Sequence, residues 1–296
     1  MALTLAEAAK LSNDVLLKGV IETIVQESPI LQVVPFVEVV GNGLTYNQEN
    51  AAPTAAFFDV GDAWTESTPT FTQVTATLKI LGGDADIDNF LKSTRSNIQD
   101  LEAAVVQLKA KAVRDKFEDT FINGNVTTDA KSFDGVDRLA TAGQTVSMGV
   151  NGGTLTLDRL DEVIDKVKAG KPHMLFMSRR SRRKLGNLSR GTGSGLLVAE
   201  RNLFGKMVDF YDGVPIGVDD HIPDNKTVGT STDTSTVYAV QFGEDAVAGL
   251  TGPGGLTVER VGSLETKDAS RVRVKWYVAI AVFNSLKLAK LTGVRD

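Results

Sequence analysis

Residues 44–82 constrain the fold more than any other stretch of this chain. They open with Thr45-Tyr46-Asn47-Gln48 and pass through Ala51-Ala52-Pro53-Thr54-Ala55-Ala56. They return as Thr70-Phe71-Thr72-Gln73-Val74-Thr75-Ala76-Thr77-Leu78-Lys79-Ile80, with threonine on both faces of the returning strand. A ribbon of this composition is too polar for a core and too β-prone for a disordered linker. The pattern predicts a long hairpin arm carrying Phe57, Phe58 and Trp64 near its tip. A two-stranded arm is marginal in water by itself. Its aromatics therefore need a surface, either on their own domain or on a neighbour.

The rest of the chain has the composition of an ordinary core: 296 residues, 42% hydrophobic, with 32 Lys and Arg against 37 Asp and Glu for a net charge of −5. That length allows one large domain or two small ones. With no cysteine, disulfide scaffolds, Cys-ligated zinc, iron–sulfur clusters and thiol catalysis are excluded. The longest unbroken apolar run, Trp276 to Phe283, is too short for a bilayer, which needs about 20 residues. The segment Met1 to Glu7 carries acid where a signal peptide would be basic. The chain reads as soluble and unexported. Mild acidity argues against a dedicated nucleic-acid binder, although a protein that encloses nucleic acid without gripping it can stay acidic.

Along the chain, Leu5, Ala9, Leu16, Val20 and Ile24 predict an amphipathic helix over 3–25, closed by Pro29. Residues 30–40 read as β-rich, ending at Gly41-Asn42-Gly43. After the hairpin, Ser96 and Gln99 form a capping-box pattern. Ile98, Leu101, Val105, Leu108, Ala112 and Phe121 then mark one face of a helix running to about Ile122. At ~1.5 Å per residue it is roughly 39 Å long, a spine for a domain. Gly124, in a left-handed cap, is expected to end it. Residues 126–155 read as loop-rich. Thr156 or Asp158 would cap a second helix carrying Leu160, Val163, Ile164 and Val167. His173 to Met177 reads as a buried strand, and Ser178 as the cap of a basic helix. Residues 191–206 read as a flexible loop. Strands flank an Asp212-Gly213 turn, and the Thr/Ser/Asp run 227–236 reads as a solvated turn. Three strands finish the chain: 237–242, 256–260 and 271–283. In the last, Val272, Val274, Trp276, Val278, Ile280 and Val282 share one face, and Arg271, Arg273 and Lys275 the other.

Chemistry is nearly absent. Asp84, Asp86 and Asp88 alternate like the first half of a calcium loop, but Asn89 stands at the glycine position and Arg95 at that of the bidentate glutamate. They read as acids on a solvated strand. Gly191-Thr192-Gly193-Ser194-Gly195 fits neither a dinucleotide fingerprint, a P-loop nor a nucleophile elbow. His173 and His221 are the two imidazoles and lack metal-ligand spacing; an enzyme would have to use His221 with Asp219 or Asp220. The one sharp charge feature is Ser178-Arg179-Arg180-Ser181-Arg182-Arg183-Lys184, with Arg190 beyond it. This helix either contacts phosphate through Arg179, Arg180, Arg182, Arg183 and Lys184, or presents a solvated face that can pair with a neighbour's acids. Net negative charge favours the second.

The order of these elements, N-terminal arm, long hairpin, spine helix, mixed domain and late strands, carries a resemblance. It is supported by Phe57-Phe58-Asp59-Val60-Gly61-Asp62-Ala63-Trp64-Thr65-Glu66, by Phe176-Met177-Ser178 before a helix, and by Gly213-Val214-Pro215-Ile216 followed by Asp219-Asp220-His221-Ile222-Pro223. It extends to the ending Trp276 to Val294. Over essentially its whole length the chain resembles the major capsid proteins of tailed bacteriophages, with the α+β Hong Kong 97-type fold.

The resemblance implies an N-terminal arm at 1–43, an extended β-hairpin E-loop at 44–82, and a peripheral domain at 83–134 and 237–296 with spine helix 96–123. It places an axial domain at 135–236. It implies no catalytic, cofactor or metal site, and a mechanical role. Pentamers and hexamers would close an icosahedral shell around double-stranded DNA, held without sequence specificity. Phe57, Phe58, Trp64 and Phe71 of the E-loop would contact neighbouring subunits. The location would be the virion after synthesis in the host cytoplasm, with no membrane partner, and with a portal, a separate scaffolding protein and in some cases a decoration protein. Some members crosslink an E-loop lysine to a peripheral asparagine; residues 44–78 contain no lysine, so that chemistry is not expected although Asn284 is present. The scaffold would be separate or already cleaved, and Met1 argues against cleavage. Rival readings are an encapsulin-type nanocompartment, which shares the fold but encloses enzymes, a hydrolytic enzyme, and a basic-helix nucleic-acid module.

Overall fold

The computed structural model describes residues 29–51, 53–89, 98–191, 197–203, 206–266 and 268–295. The first half comprises α1 (Pro29–Val33), β1 (Phe36–Glu38), β2 (Gly43–Ala51), β3 (Thr70–Thr77), β4 (Lys79–Asp88), α2 (Ile98–Asn123), α3 (Val136–Leu139), β5 (Thr145–Ser147) and β6 (Gly153–Thr154). Then come α4 (Leu157–Lys166), β7 (Met174–Met177), α5 (Arg179–Gly191), β8 (Leu197–Leu203), β9 (Lys206–Tyr211), β10 (Val214–Val218), β11 (Lys226–Val228) and β12 (Ser231–Val240). Strands β13 (Val247–Thr251), β14 (Thr257–Ser263), β15 (Ala269–Val282) and β16 (Leu288–Arg295) complete the chain.

The 14-residue β15 organises one sheet. It pairs antiparallel with β4 along one edge, and with β14 and then β13 along the other; β1 adds parallel to β13. Its alternation is the expected one. Val272, Val274, Trp276, Val278, Ile280 and Val282 are buried. On the opposite face Arg271 grips Asp86 and Arg273 grips Asp84, each through two hydrogen bonds of 2.6–2.9 Å, and Lys275 reaches Glu259 at 2.6 Å. Directly opposed positions of β4 and β15 bring the two Arg–Asp pairs together, and Lys275 reaches Glu259 diagonally across to β14. Asp84 and Asp86 are thus ion-pair partners on a strand.

The second sheet runs β5-β16-β12-β7-β10-β9-β8, with β11 on β12 and β6 on β16. Its middle strands are covered on both faces, so β7 is buried at every position. Leu175, Met177, Val237 and Ala239 pack under helices α4 and α5, whereas Met174, Phe176, Tyr238 and Val240 face the other way, towards α2. Helix α2 lies between the two sheets: Phe117 meets Trp276 at 4.9 Å and Phe121 meets Phe176 at 6.4 Å between ring centroids. Across the second sheet, Asp137 of α3 accepts from Lys226 at 2.9 Å and from the Tyr238 hydroxyl at 3.0 Å. Burial alone would raise its carboxyl, but Lys226, Lys290 and Tyr238 together hold it below the usual carboxylate range.

Several expectations change. The helix over 3–25, the Ser96 cap and Gly193 to Gly195 lie outside the described residues. Residues 30–40 are not simply β: Pro29 opens the short helix α1, a position where its missing N–H costs nothing, and only Phe36–Glu38 is strand. The buried stripe of α2 is Val106, Ala110, Val113, Phe117 and Phe121, while Leu108 and Ala112 are exposed. Gly124 follows α2 without a positive φ; it is needed because a Cβ there would collide with the carbonyl oxygens of Thr120 and Phe133. Part of the expected loop 191–206 is strand β8, paired with β9. The run 227–236 enters β12, where Thr234, Ser235 and Thr236 are buried. Thr234 Oγ1 donates to the Lys226 carbonyl at 2.8 Å and Ser235 Oγ to that of Pro223 at 3.2 Å. Strands β13 and β16 add to the three expected. Asp212 and Gly213, both at positive φ, form the tight β9–β10 turn, and Thr156 caps α4 by accepting from the Arg159 N–H.

Candidate assembly interface

The ribbon β2–β3 is an antiparallel pair in constant register from Gly43↔Thr77 to Glu49↔Phe71, with a bulge before Ala51↔Thr70. It ends one residue before β4, which leaves it to join the β15 sheet, so the returning strand read as continuous to Ile80 divides at Leu78. At its base, Leu44, Tyr46 and Ala76 pack with Val39, Leu78 and Phe283. The Tyr46 ring meets Phe283 edge-on at 4.8 Å, and its hydroxyl donates to the Val282 carbonyl at 3.1 Å. Burial raises the Tyr46 phenol above its ordinary range.

The far end is different. Phe58 stacks on Trp64 at 4.6 Å, and a turn closes where the Asp59 N–H donates to Asp62 Oδ2 at 2.7 Å. This holds the tip together without giving it a core: Phe57, Val60 and Trp64 remain 106%, 101% and 81% exposed, and Phe71 is exposed as well. Of the two destinations open to the aromatics, Tyr46 at the base takes the chain's own domain and Phe57 and Trp64 at the tip do not.

The basic helix α5 starts where expected, with buried Ser178 accepting from the Ser181 N–H at 3.3 Å. Its cations find acids within the same chain, a solution the linear sequence does not reveal. Arg179 holds Asp220 through two bonds, Arg180 lies 3.6 Å from Asp224 and bonds the Asp233 carbonyl at 2.7 Å, and Arg182 donates to Asp209 at 2.7 Å. Arg183 is exposed and Lys184 half-buried. Hydrogen bonding to Asp220 raises the Arg179 guanidinium further above its ordinary value. A helix matched in this way has less positive charge to offer phosphate than its sequence suggests. An acidic counterpart exists on α4, where Asp158, Asp161, Glu162 and Asp165 line one shallow groove.

The two histidines part company. Exposed His173 accepts from the Phe242 N–H through Nδ1 at 3.2 Å, a strand-end contact. His221 Nδ1 lies 2.9 Å from Asp219 Oδ1 and 3.8 Å from Glu118 Oε2, both acids being buried. Of the two acids the sequence offers beside His221, Asp219 meets it and Asp220 turns to Arg179; Glu118, on a helix distant in sequence, is not foreseen. Among the described residues no helix is long and apolar enough to cross a membrane.

The model of the phage capsid family matches residues 11–293. No curated protein sequence matches significantly. Among solved structures, the chain is similar to the SrpI encapsulin of Synechococcus elongatus PCC 7942 at 21% identity and a TM-score of 0.72, covering 99% of this chain and 96% of that one. The capsid of an empty GTA particle matches at 14% identity and a TM-score of 0.66, covering 90% and 89%. Microbacterium phage Oxtober96 matches at 15% identity and a TM-score of 0.60, covering 91% of both chains. These likenesses give the fold, which is of the Hong Kong 97 type, and the family is one of structural shell proteins and not of enzymes. With its sheets, spine helix and projecting ribbon in this arrangement, the chain belongs to the phage capsid family, as a shell-forming capsid protein.

Proposed function

We propose that this chain is the major capsid protein of a tailed phage, assembling as pentamers and hexamers into an icosahedral shell around double-stranded DNA. The observation that carries this reading is the ribbon β2–β3. It is anchored at its base, self-braced at its tip, and presents Phe57, Trp64 and Phe71 to solvent. Isolated apolar side chains at the end of an arm are costly to leave in water and gain about 1.5–3 kcal/mol each when fully covered. A lattice in which arms lie across neighbours covers them all by repetition. In this reading residues 44–82 are the E-loop and 1–43 the N-terminal arm. Residues 83–134 and 237–296 form the peripheral domain, and 135–236 the axial domain. Helix α5, with Arg179, Arg180 and Arg182 matched by acids of the same chain, then has less charge to offer either DNA or a neighbouring subunit than its sequence suggests. A scaffolding protein, a portal and in some lattices a decoration protein would complete the particle, in the virion after synthesis in the host cytoplasm.

A second reading has its own support. The likeness to an encapsulin extends over almost the whole chain, and an encapsulin-type shell would enclose protein cargo instead of a genome. Electron microscopy of the purified full-length protein, with and without scaffold, tests assembly. Closed shells or ring-shaped capsomers support it, and a chain that stays monomeric with its scaffold present overturns it. The contents of shells isolated from producing cells separate the readings: nuclease-protected double-stranded DNA supports the phage capsid, and a co-purifying enzyme with no DNA supports the nanocompartment.

A further inference from the structure

The C-terminal half of α2 and the turn after β10 bring four ionisable side chains together from distant parts of the sequence. Asp115 and Glu118 lie one turn apart on the helix, and Asp219 and His221 sit on the turn. Single ligand atoms from Asp115, Glu118 and His221 all fall within 4.8 Å of one another. Asp219 Oδ1 supports the imidazole twice, accepting the His221 main-chain N–H at 2.8 Å and lying 2.9 Å from Nδ1. Glu118 and Asp219 are 4% and 3% exposed. Asp219 Oδ2 is buried and has no hydrogen-bond partner among the described residues.

The cluster is rich in acid. Among the described residues a nearby cation is Arg114, whose Nε donates to Asp115 at 2.7 Å and lies 3.8 Å from Glu118. Glu118 and Asp219 are buried carboxylates and Asp115 is a half-exposed one, and the three gather around a single imidazole. Buried carboxylates are retained when paired with cations or when they coordinate metals. A divalent ion would place positive charge among these carboxylates and give the orphaned Asp219 Oδ2 a charged neighbour. The donor set narrows the choice: one imidazole with carboxylates suits a first-row transition ion such as zinc or manganese, whereas calcium and magnesium prefer oxygen alone. The Asp219–His221 contact is the kind of outer hydrogen bond that orients a metal-ligating imidazole.

We propose that His221, Glu118 and Asp115 form a binding site for a divalent transition-metal ion, with Asp219 as the residue that positions the imidazole. The ion would fasten the spine helix to the end of β10, reinforcing the hydrogen bond already made there by Asn123 Nδ2 to the His221 carbonyl at 2.8 Å. It would tie the element covering the β15 sheet to the second sheet. The site lies within one subunit and does not depend on whether the shell holds DNA or protein.

The test uses tag-free, full-length protein stripped with EDTA and titrated with ZnCl2 and, separately, MnCl2 by calorimetry, alongside thermal melts. The expected result is saturable binding of one ion per chain with a rise in melting temperature. His221→Ala and Glu118→Gln should abolish it, and Asp219→Asn should weaken it by about 10–100-fold, the usual effect of removing such an outer partner. His173→Ala should bind like the parent. Glu118→Gln keeps the volume of the side chain, so it decides the matter if His221→Ala fails to fold. Absence of saturable binding by both ions at millimolar concentration overturns the proposal. Binding left intact by both Glu118→Gln and His221→Ala overturns it as well. Failure to assemble into shells has no bearing on this readout, and failure to bind metal has none on assembly.

Discussion

The strand-paired base of the β2–β3 ribbon and the unpaired loop at its tip have opposite fates. At the base, Tyr46 packs on Phe283 and hydrogen-bonds Val282, and Leu44 and Ala76 join the same cluster. At the tip, Phe58 stacks on Trp64 without joining a buried cluster among the described residues, and Phe57 is fully exposed. The base is finished by its own chain and the tip is unfinished. The difference separates what the chain needs to fold from what it needs to assemble: apolar surface placed about a hairpin's length from the core adds little to the stability of a single copy, yet is well placed to bind another. Substitutions at the two ends should therefore fail in different ways.

The largest effect is expected at the tip. Phe57→Asp combined with Trp64→Asp should prevent closed shells from forming, because buried aromatic anchors commonly contribute 2 kcal/mol or more each to an interface and the loss repeats in every copy. The melting temperature of the unassembled subunit should barely move. Size-exclusion chromatography, electron microscopy and a thermal melt check this together; a large drop in subunit stability would show that the tip is part of the subunit's own core. Next comes the spine. Phe117, fully buried against Trp276, Phe36 and Phe133, should cost about 3–5 kcal/mol when replaced by alanine. Denaturant unfolding of the subunit reads that loss before assembly is attempted. Tyr46→Ala is intermediate in both respects. It removes a half-buried ring and its edge-on contact, for a cost of about 1–3 kcal/mol, and it frees the arm at its root, so shells should form with reduced yield. Equal yields from Tyr46→Ala and the parent would mean that the base does not aim the tip.

How far the sequence reveals this design depends on whether a feature is local. The alternation of Val272, Val274, Trp276 and Val278 against Arg271, Arg273 and Lys275 is local, and β15 follows it. The ribbon is legible for the same reason. Helix α2 is legible in extent but not in orientation: Leu108 and the stripe through Val106, Ala110 and Val113 both fit a helical period, and it is the sheet beneath, through Val272, that selects the second. Strand β16 escapes because Lys290 and Gly293 interrupt its apolar pattern; Lys290 is accommodated by its bond to Asp137 on a distant helix. Strand β12 is disguised by threonine and serine, whose hydroxyls are satisfied by carbonyls that the fold brings to them. The matching of α5 by Asp209, Asp220 and Asp224 and the assembly of Glu118 with His221 share this non-local character. No spacing rule could find either, since each joins segments that are neighbours only after folding.

The smallest predicted effect concerns the charged face of β15, which resembles the ribbon tip in being exposed but, unlike it, is internally matched. The hydrogen bonds from Arg273 hold the Asp84 carboxyl below the usual aspartate range, and Lys275 does the same for Glu259. A carboxyl with a depressed folded-state value stabilises fully above its unfolded-state value, about 3.9 for aspartate. It loses that contribution as the pH falls through the folded-state value. Parent stability should accordingly decline below about pH 4, and Asp84→Asn should decline less steeply because one of the groups that must be protonated is gone. At pH 7 the variant should be only slightly weaker, since solvent-exposed ion pairs are worth little, and the difference should shrink further in 1 M salt as screening shortens to about 3 Å. Melts from pH 7 to pH 2 on parent and variant check this. Identical acid slopes would show that the Asp84–Arg273 pair contributes nothing to the folded subunit. The exposed face of β15 would then be matched in geometry alone, and its charges, like the aromatics of the tip, would have to serve the lattice.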